Sequence, residues 1–246
     1  MRETGRTLIS NIGTSETRKV CGDSVKTLVV IAAKNEAEGV GPTVKDVKNY
    51  LNSSRILVVD GRSTDDTVRI AKDEGAEILI QEGIGKGKAI GDAVEAIGEE
   101  EEYVVFMDGD FTYPAEFVPQ MIRKLEENPD LGMVSGNRFN SHFRLKAMHN
   151  ILHFGNRALA FTHNLVNGVA MRDPLTGLRV IRAEILRGWR PKSKGFDVEV
   201  EMNHLVENKG FGINEIPIYY RIRRGAKKLS IKDGFSILKR ILKESF

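Results

Sequence analysis

Asp108 and Asp110 stand one glycine apart at the end of the apolar run Tyr103-Val104-Val105-Phe106-Met107. The run reads as a buried strand. Strand residues alternate faces, and Gly109 lets the backbone bend, so both carboxylates can converge on one divalent cation. Hard cations such as Mg2+ or Mn2+ prefer oxygen ligands and usually keep substrate phosphates in their shell. A metal-bound diphosphate at the carboxyl end of a strand makes a nucleotide site. A lone Asp-x-Asp is common, because acids often end strands. Here the pair follows a buried strand, and Glu36 and Asp60 close two other strand-like runs in the same way.

Asp60 precedes Gly61-Arg62-Ser63-Thr64-Asp65-Asp66-Thr67. Its carboxylate can accept hydrogen bonds from a base N–H or a ribose hydroxyl. We read it as a ligand contact, because it stands too far upstream to cap the next helix well; Ser63 or Thr64 is the expected cap. Gly83-Ile84-Gly85-Lys86-Gly87-Lys88 is glycine-rich and enters a helix, where phosphate is attracted. Its spacing fits neither common phosphate loop, so a flexible turn with solvated lysines is an equal reading. His149 and His153, four apart on a helix, would make half a zinc site, but no matching acid follows, and we read them as structural. Glu99 to Glu102 reads as a solvated turn.

The elements that must position these residues alternate. Thr27–Ala33, Arg55–Val59, Ala76–Gln81, Tyr103–Met107 and Leu131–Gly136 read as strands. Thr43–Leu51, Thr64–Glu74, Lys86–Ile97 and a helix opened by Pro114 and ending near Glu127 fall between them. Strand–helix alternation implies a parallel sheet with helices on both faces, and ligands of such sheets bind beyond the carboxyl ends of the strands. Lys34-Asn35-Glu36, Asp60 to Ser63 and Asp108-Gly109-Asp110 all fall at such ends, which argues for one composite site. Beyond Arg138, His142–Asn167 reads as a helix, Leu178–Ile181 as a short strand and Phe196–Glu207 as a helix. Phe211–Ile222 reads as an edge or bulged strand with Pro217, and Ser230–Phe246 as an amphipathic helix.

The 246 residues, 41% of them hydrophobic, suffice for a full α/β core. The single cysteine, Cys21, excludes an internal disulfide and fits a reducing compartment. No apolar run nears the roughly 20 residues of a membrane span, and no apolar signal core opens the chain. We expect a cytoplasmic protein. Residues 1–24 read as a flexible arm, 25–229 as one domain and 230–246 as a basic helix. From Arg221 to Glu244 nine Lys/Arg face only Asp233 and Glu244, and Ile231, Phe235, Leu238 and Leu242 form a stripe. Such a helix either enters a lipid interface, its lysines snorkelling, or packs on the core with a charged outer face. Nucleic acid is not expected, since no aromatic stacking pattern accompanies the basic residues.

In order along the chain, these segments resemble a family-2 glycosyltransferase of the GT-A fold, most of all the dolichyl-phosphate mannose or glucose synthases. The resemblance covers about Leu28 to Leu229. It rests on Ala32-Ala33-Lys34-Asn35-Glu36, on Val59 to Thr67, on Gly85-Lys86-Gly87, on Asp108-Gly109-Asp110 and on Gly136-Asn137-Arg138. Asp173-Pro174-Leu175-Thr176-Gly177-Leu178-Arg179, Phe196 to Glu201, Ile216-Pro217-Ile218 and Arg223 to Leu229 complete it. The chain departs from the family pattern at Ala32, Lys34, Gly61-Arg62, Thr112 and Lys227. The resemblance implies a GT-A domain, a Rossmann-like, mostly parallel sheet with helices on both faces, plus C-terminal amphipathic helices. It implies hexose transfer, with inversion, from a GDP- or UDP-hexose to dolichyl or polyprenyl phosphate at the cytoplasmic face of a membrane. Asp108 and Asp110 would hold Mg2+ or Mn2+. Ala32, Lys34, Glu36, Val58, Asp60, Lys86 and Gly109 would line the nucleotide-sugar site. Arg138, Arg223 and Lys228 would grip phosphates, with Asp110 and Arg138 closest to the chemistry. A soluble acceptor would instead need a general base, for which Asp173 and Glu199 are the first candidates, and a non-catalytic nucleotide-binding module is the third possibility.

Overall fold

A computed structural model describes residues 26–139, 171–226 and 231–244. The expected N-terminal arm, the His142–Asn167 helix with His149 and His153, and Lys228 lie outside the described residues. Seven strands form one sheet: β1 (Thr27–Ala33), β2 (Arg55–Asp60), β3 (Glu77–Ile80), β4 (Tyr103–Asp108), β5 (Leu131–Asn137), β6 (Arg179–Arg182) and β7 (Gly212–Pro217). Their order is β3-β2-β1-β4-β6-β5-β7. The sheet is mostly parallel, as expected. Only β6 runs against its neighbours, antiparallel to both β4 and β5. Apolar content marked β6 as a strand, but four residues carry no signal of direction.

The helices α1 (Ala37–Tyr50), α2 (Thr67–Asp73), α3 (Lys86–Glu95), α4 (Val118–Glu127), α5 (Ala183–Leu186), α6 (Val198–Asn208) and α7 (Ile231–Glu244) cover both faces. Continuous apolar strands such as β1 require this, since each face must be buried. Val29, Ile31 and Val58 pack on one face with Val40, Val44 and Val47 of α1 and Met121 and Leu125 of α4. Leu28, Val30, Val59, Val104 and Phe106 pack on the other with Ile90 and Ala93 of α3, Ile185 and Leu186 of α5, and Val198 and Met202 of α6.

Two expectations about helix starts are corrected. α1 begins six residues before the expected Thr43, with Pro42 inside it. Gly39 and Gly41 serve contact in its first turns: a Cβ at Gly39 would lie 2.5 Å from Gly109 O and 2.6 Å from Asp110 Cα, and one at Gly41 2.9 Å from Ile70 Cγ2. Gly39→Ala should therefore cost about 1–3 kcal/mol through overpacking, measured by urea unfolding, because backbone rather than a flexible side chain must yield. α2 begins at Thr67, and neither Ser63 nor Thr64 caps it. Asp65 Oδ1 instead accepts from Thr67 N (3.1 Å) and Thr67 Oγ1 (2.5 Å).

Among the described side chains of α7, Ile237, Arg240 and Ile241 are buried. Ile237 and Ile241 pack with Val200, flanked by Leu175 and Phe196, and Arg240 Nε donates to Asp197 Oδ2 at 3.1 Å. Of the expected stripe, Leu238 is half-buried; the side chains of Ile231, Phe235 and Leu242 lie outside the described ones. Among the described residues, no helix is long and apolar enough to cross a membrane.

Candidate active site

The chain steps outward from β1 to β2 and β3, then returns to β4 on the other side of β1. The loops after β1 and β4 meet at the carboxyl rim, where ligands of such sheets bind: a Cβ at Gly39 would lie 2.5 Å from Gly109 O, and Arg223 bridges Glu36 and Asp110. Register brings the acids to this rim. Asp60 is level with Ala33 and Asp108 with Ala32, and Gly61 N and Gly109 N donate to the Ala33 and Ala32 carbonyls at 2.7 and 3.1 Å. Asp60 and Asp108 are one residue out of phase, so they leave the two faces of the same edge.

Among the described residues, the non-glycine residues with positive φ are Asn35 (49°), Arg62 (60°) and Phe111 (67°), one in each of the loops after β1, β2 and β4. Such backbone costs about 1–2 kcal/mol per residue and persists only when its surroundings impose it. The surroundings are visible. Asn35 N donates to Ser63 Oγ (2.7 Å), Asn35 Oδ1 accepts from Thr64 N (2.8 Å), and Glu36 N donates to Thr67 Oγ1 (2.8 Å). Phe111 N donates to Thr43 Oγ1 (3.1 Å), and the guanidinium groups of Arg221 and Arg224 lie 4.4 and 4.6 Å from the Phe111 ring centre.

The two acids of Asp108-Gly109-Asp110 have separate partners. Asp108 Oδ1 accepts from Lys86 Nζ at 2.6 Å, and Lys86 is also 2.6 Å from Glu199 Oε1. Asp110 pairs with Arg223, which also holds Glu36. Asp110 Oδ1 further accepts from Thr112 N (3.0 Å) and Thr112 Oγ1 (2.5 Å). Burial, then the nearby Asp108 charge, push the Asp110 carboxyl above the usual carboxylate range, against the pull of Thr112 and Arg223. Asp108 and Asp110 therefore feel one another. Among the described residues, no group of three or more His, Cys, Asp or Glu gathers as a full protein cage. A cage is not required: Mg2+ is commonly held by one or two carboxylates plus substrate phosphates. Two hard oxygen donors flank a glycine turn, the Asp108 side chain is 28% exposed, and a Cβ at Gly177 would intrude to 2.6 Å from its Oδ2. These residues fit a divalent cation.

The glycine-rich segment is exposed at Gly83 and Ile84 and clamped from Gly85 to Gly87. Gly87 N donates to Lys194 O at 3.1 Å, and side chains at Gly85 or Gly87 would collide with the Lys194 and Ser193 carbonyls. This clamp places Lys86, whose side chain is 13% exposed. Burial opposes the lysine's charge, but Asp108 and Glu199 outweigh it and push its pKa up. Arg138 meets Asp173 in a two-pronged pair, Nε and NH2 at 2.7 and 2.8 Å. Glu215 holds Asp173 in turn, accepting from the backbone N–H groups of Arg172 and Asp173, both at 2.7 Å.

The remaining expected residues spread along the β1–β2 side. Asp60 is buried and folds back on its own loop, accepting from Ser63 N (2.9 Å) and Ser63 Oγ (2.5 Å). Lys34 lies along Gly61. Val58 is fully buried in the core, so its side chain packs rather than lines the rim. The partners of the cations, Glu199 and Asp173, entered the sequence reading within two resemblance motifs and as candidate bases, not as ion-pair partners. Tyr113, whose hydroxyl accepts from Gly177 N at 2.7 Å, and Arg221, paired with Asp46 at 2.8 Å, had no local signal at all.

Residues 28–189 match the profile of the family described as Glycosyl transferase family 2. Glycosyltransferase AglJ of Haloferax volcanii is 34% identical over 203 residues, 81% of this chain; the chain spans only 65% of that relative's length. A dolichyl-phosphate hexose transferase of the same organism is 32% identical over 219 residues, 87% of this chain and 92% of that one. Glucosyl-3-phosphoglycerate synthase from Mycobacterium tuberculosis, crystallised with Mn2+, UDP-glucose and glycerol 3-phosphate, superposes with a TM-score of 0.72 at 20% identity. It covers 89% of this chain and 80% of its own, which makes the GT-A fold a shared one. A profile match along most of β1 to α5, with relatives aligned over most of the chain, shows that this glycosyltransferase belongs to glycosyl transferase family 2.

Proposed function

We propose that the chain transfers a hexose, with inversion, from a nucleoside diphosphate hexose of the GDP-mannose or UDP-glucose type to dolichyl or polyprenyl phosphate. An acceptor phosphate oxygen attacks the anomeric carbon, the bond from that carbon to the diphosphate breaks, and the nucleoside diphosphate leaves. No proton is moved, because the acceptor phosphate is already anionic near neutral pH. One observation carries this reading. Asp173 and Glu199, the candidate bases for a hydroxyl acceptor, are both held in ion pairs, by Arg138 and Lys86. Two candidate bases each engaged by a cation suit an acceptor that needs none. The similarity to a hexose transferase named for dolichyl phosphate supports the same choice.

Asp108 and Asp110 would hold Mg2+ or Mn2+, which when bound supplies Lewis-acid neutralisation of the leaving diphosphate. Arg223 and Lys86 add positive charge beside that position, and Arg138 and Lys228 are further phosphate-gripping candidates. Ala32, Lys34, Glu36, Asp60 and the backbone at Val58 and Gly109 would orient the nucleoside. Positioning and charge stabilisation then supply most of the catalysis. The exposed Lys239 and Lys243 of α7 and the segment 142–167 would meet the cytoplasmic face of a membrane, peripherally, where the lipid acceptor resides.

The test is turnover of labelled UDP- and GDP-hexoses with Mn2+ or Mg2+, with and without polyprenyl phosphate presented in vesicles. Product should form only when the lipid phosphate is present and should extract with the lipid. Transfer to a small phosphorylated metabolite or free sugar would move the reading to a soluble acceptor. Nucleotide binding without any transfer would leave a non-catalytic module.

A further inference from the structure

Lys86 and Arg223 occupy matching places on the two sides of the Asp108-Gly109-Asp110 turn. Lys86 lies between Asp108 and Glu199, 2.6 Å from each. Arg223 lies between Asp110 and Glu36. Each aspartate thus faces an internal cation, and each of those cations is shared with a glutamate from another element. A cation paired with its aspartate alone would cancel the charge a metal ion needs. A cation shared with a second carboxylate leaves its trio one negative charge to offer.

Glu199 is the clearer of the two glutamates. It stands in the first turn of α6 and is 4% exposed. Its Oε1 meets Lys86, while its Oε2 is buried and accepts no hydrogen bond among the described residues. Leaving a buried carboxylate oxygen unpaired is costly, so the charge on this residue serves cations rather than a donor network. Besides Lys86, Glu199 acts from further away on Arg179, whose buried guanidinium bonds to neutral partners: the carbonyls of Thr176 and Pro174, Asn203 Oδ1 and Met133 Sδ. Lys86 has little freedom to leave, because its flanking glycines are clamped on Ser193 and Lys194.

We propose that Glu199 is a positioning residue: it holds Lys86 between two carboxylates, so that Asp108 keeps the negative charge required to take up a divalent cation. The inference rests on the reading of Asp108 and Asp110 as that cation's ligands. Glu199→Gln removes one negative charge and leaves Lys86 to Asp108 alone. Lys86→Met removes the competing cation.

The experiment is Mn2+ uptake by the full chain, followed by electron paramagnetic resonance of free Mn2+, with and without UDP or GDP. Wild type, E199Q, K86M and the double variant are compared, and thermal unfolding verifies that each is folded. E199Q should weaken Mn2+ binding roughly tenfold or more, as loss of a group that supports a metal ligand does. K86M alone should bind Mn2+ more tightly than wild type, and the double variant should recover the E199Q loss. Because Glu199 acts through Lys86, the double variant should bind Mn2+ as tightly as K86M does, and that departure from the sum of the single effects is coupling a merely structural role would not produce. If E199Q does not fold, K86M alone decides: Mn2+ binding no tighter than wild type overturns the inference. Wild-type uptake that E199Q leaves unchanged, or an E199Q loss that the double variant does not recover, overturns it while the ligand reading stands. No uptake by wild type under any of these conditions overturns both.

Discussion

Asp110→Asn should lower hexose transfer by roughly 10²–10³-fold, the scale of losing one preorganised electrostatic group at a reacting centre, while the protein stays folded. Asparagine keeps the volume of a side chain that is only 3% exposed. It also keeps an oxygen to accept from Thr112 N and Thr112 Oγ1, the bonds that shape the turn. What it removes is the charge that faces Arg223 and would face the metal ion. Asp110→Ala is the less informative variant, because it also deletes the Thr112 contacts from a buried site. Measurement pairs turnover of the labelled donor with circular dichroism and Mn2+ uptake. Turnover within a few-fold of wild type would remove Asp110 from the metal assignment and leave Asp108 to act alone.

Asp173→Asn should destabilise the fold by about 3–5 kcal/mol, because breaking one side of a buried pair leaves its partner's charge uncompensated. Asp173 is fully buried, and its carboxylate receives Arg138 Nε, NH2 and N. The loop that begins at Asp173 also carries Gly177, which borders Asp108 Oδ2. Loss of the pair therefore acts on stability and on the site together. Urea unfolding gives the stability change. Adding Arg138→Met to Asp173→Asn should recover much of it, since the stranded cation is then gone. This variant separates two roles for Arg138. If Arg138 acts mainly as a phosphate clamp and the ion pair contributes little, Asp173→Asn will unfold at nearly the wild-type urea concentration.

The strands of the site were legible because their signal is local. Thr27–Ala33 and Arg55–Asp60 are unbroken apolar runs that end at polar residues, and their observed bounds follow that pattern. The same rule located Glu36, Asp60 and Asp108 at the rim. It failed where close packing replaced periodicity. Gly39, Gly41 and Pro42 lie inside α1, where Gly39 meets the backbone of Gly109 and Asp110 and Gly41 meets the Ile70 side chain too closely for a Cβ. The direction of β6 was illegible for a different reason: four residues pair equally well either way, and only their neighbours decide.

Residue types and their order along the chain determined by themselves that a strand-helix sheet presents acids at one rim, and that the family is a glycosyltransferase. The spacing of apolar residues encodes period and length, and strand ends follow from those. Which cation meets which acid was decided only in three dimensions. Lys86 with Glu199, Arg223 with Glu36 and Arg138 with Asp173 join distant segments. Such pairs form because sheet order and helix packing withdraw those charges from most of the water, and buried charge must be compensated wherever the chain happens to bring its complement.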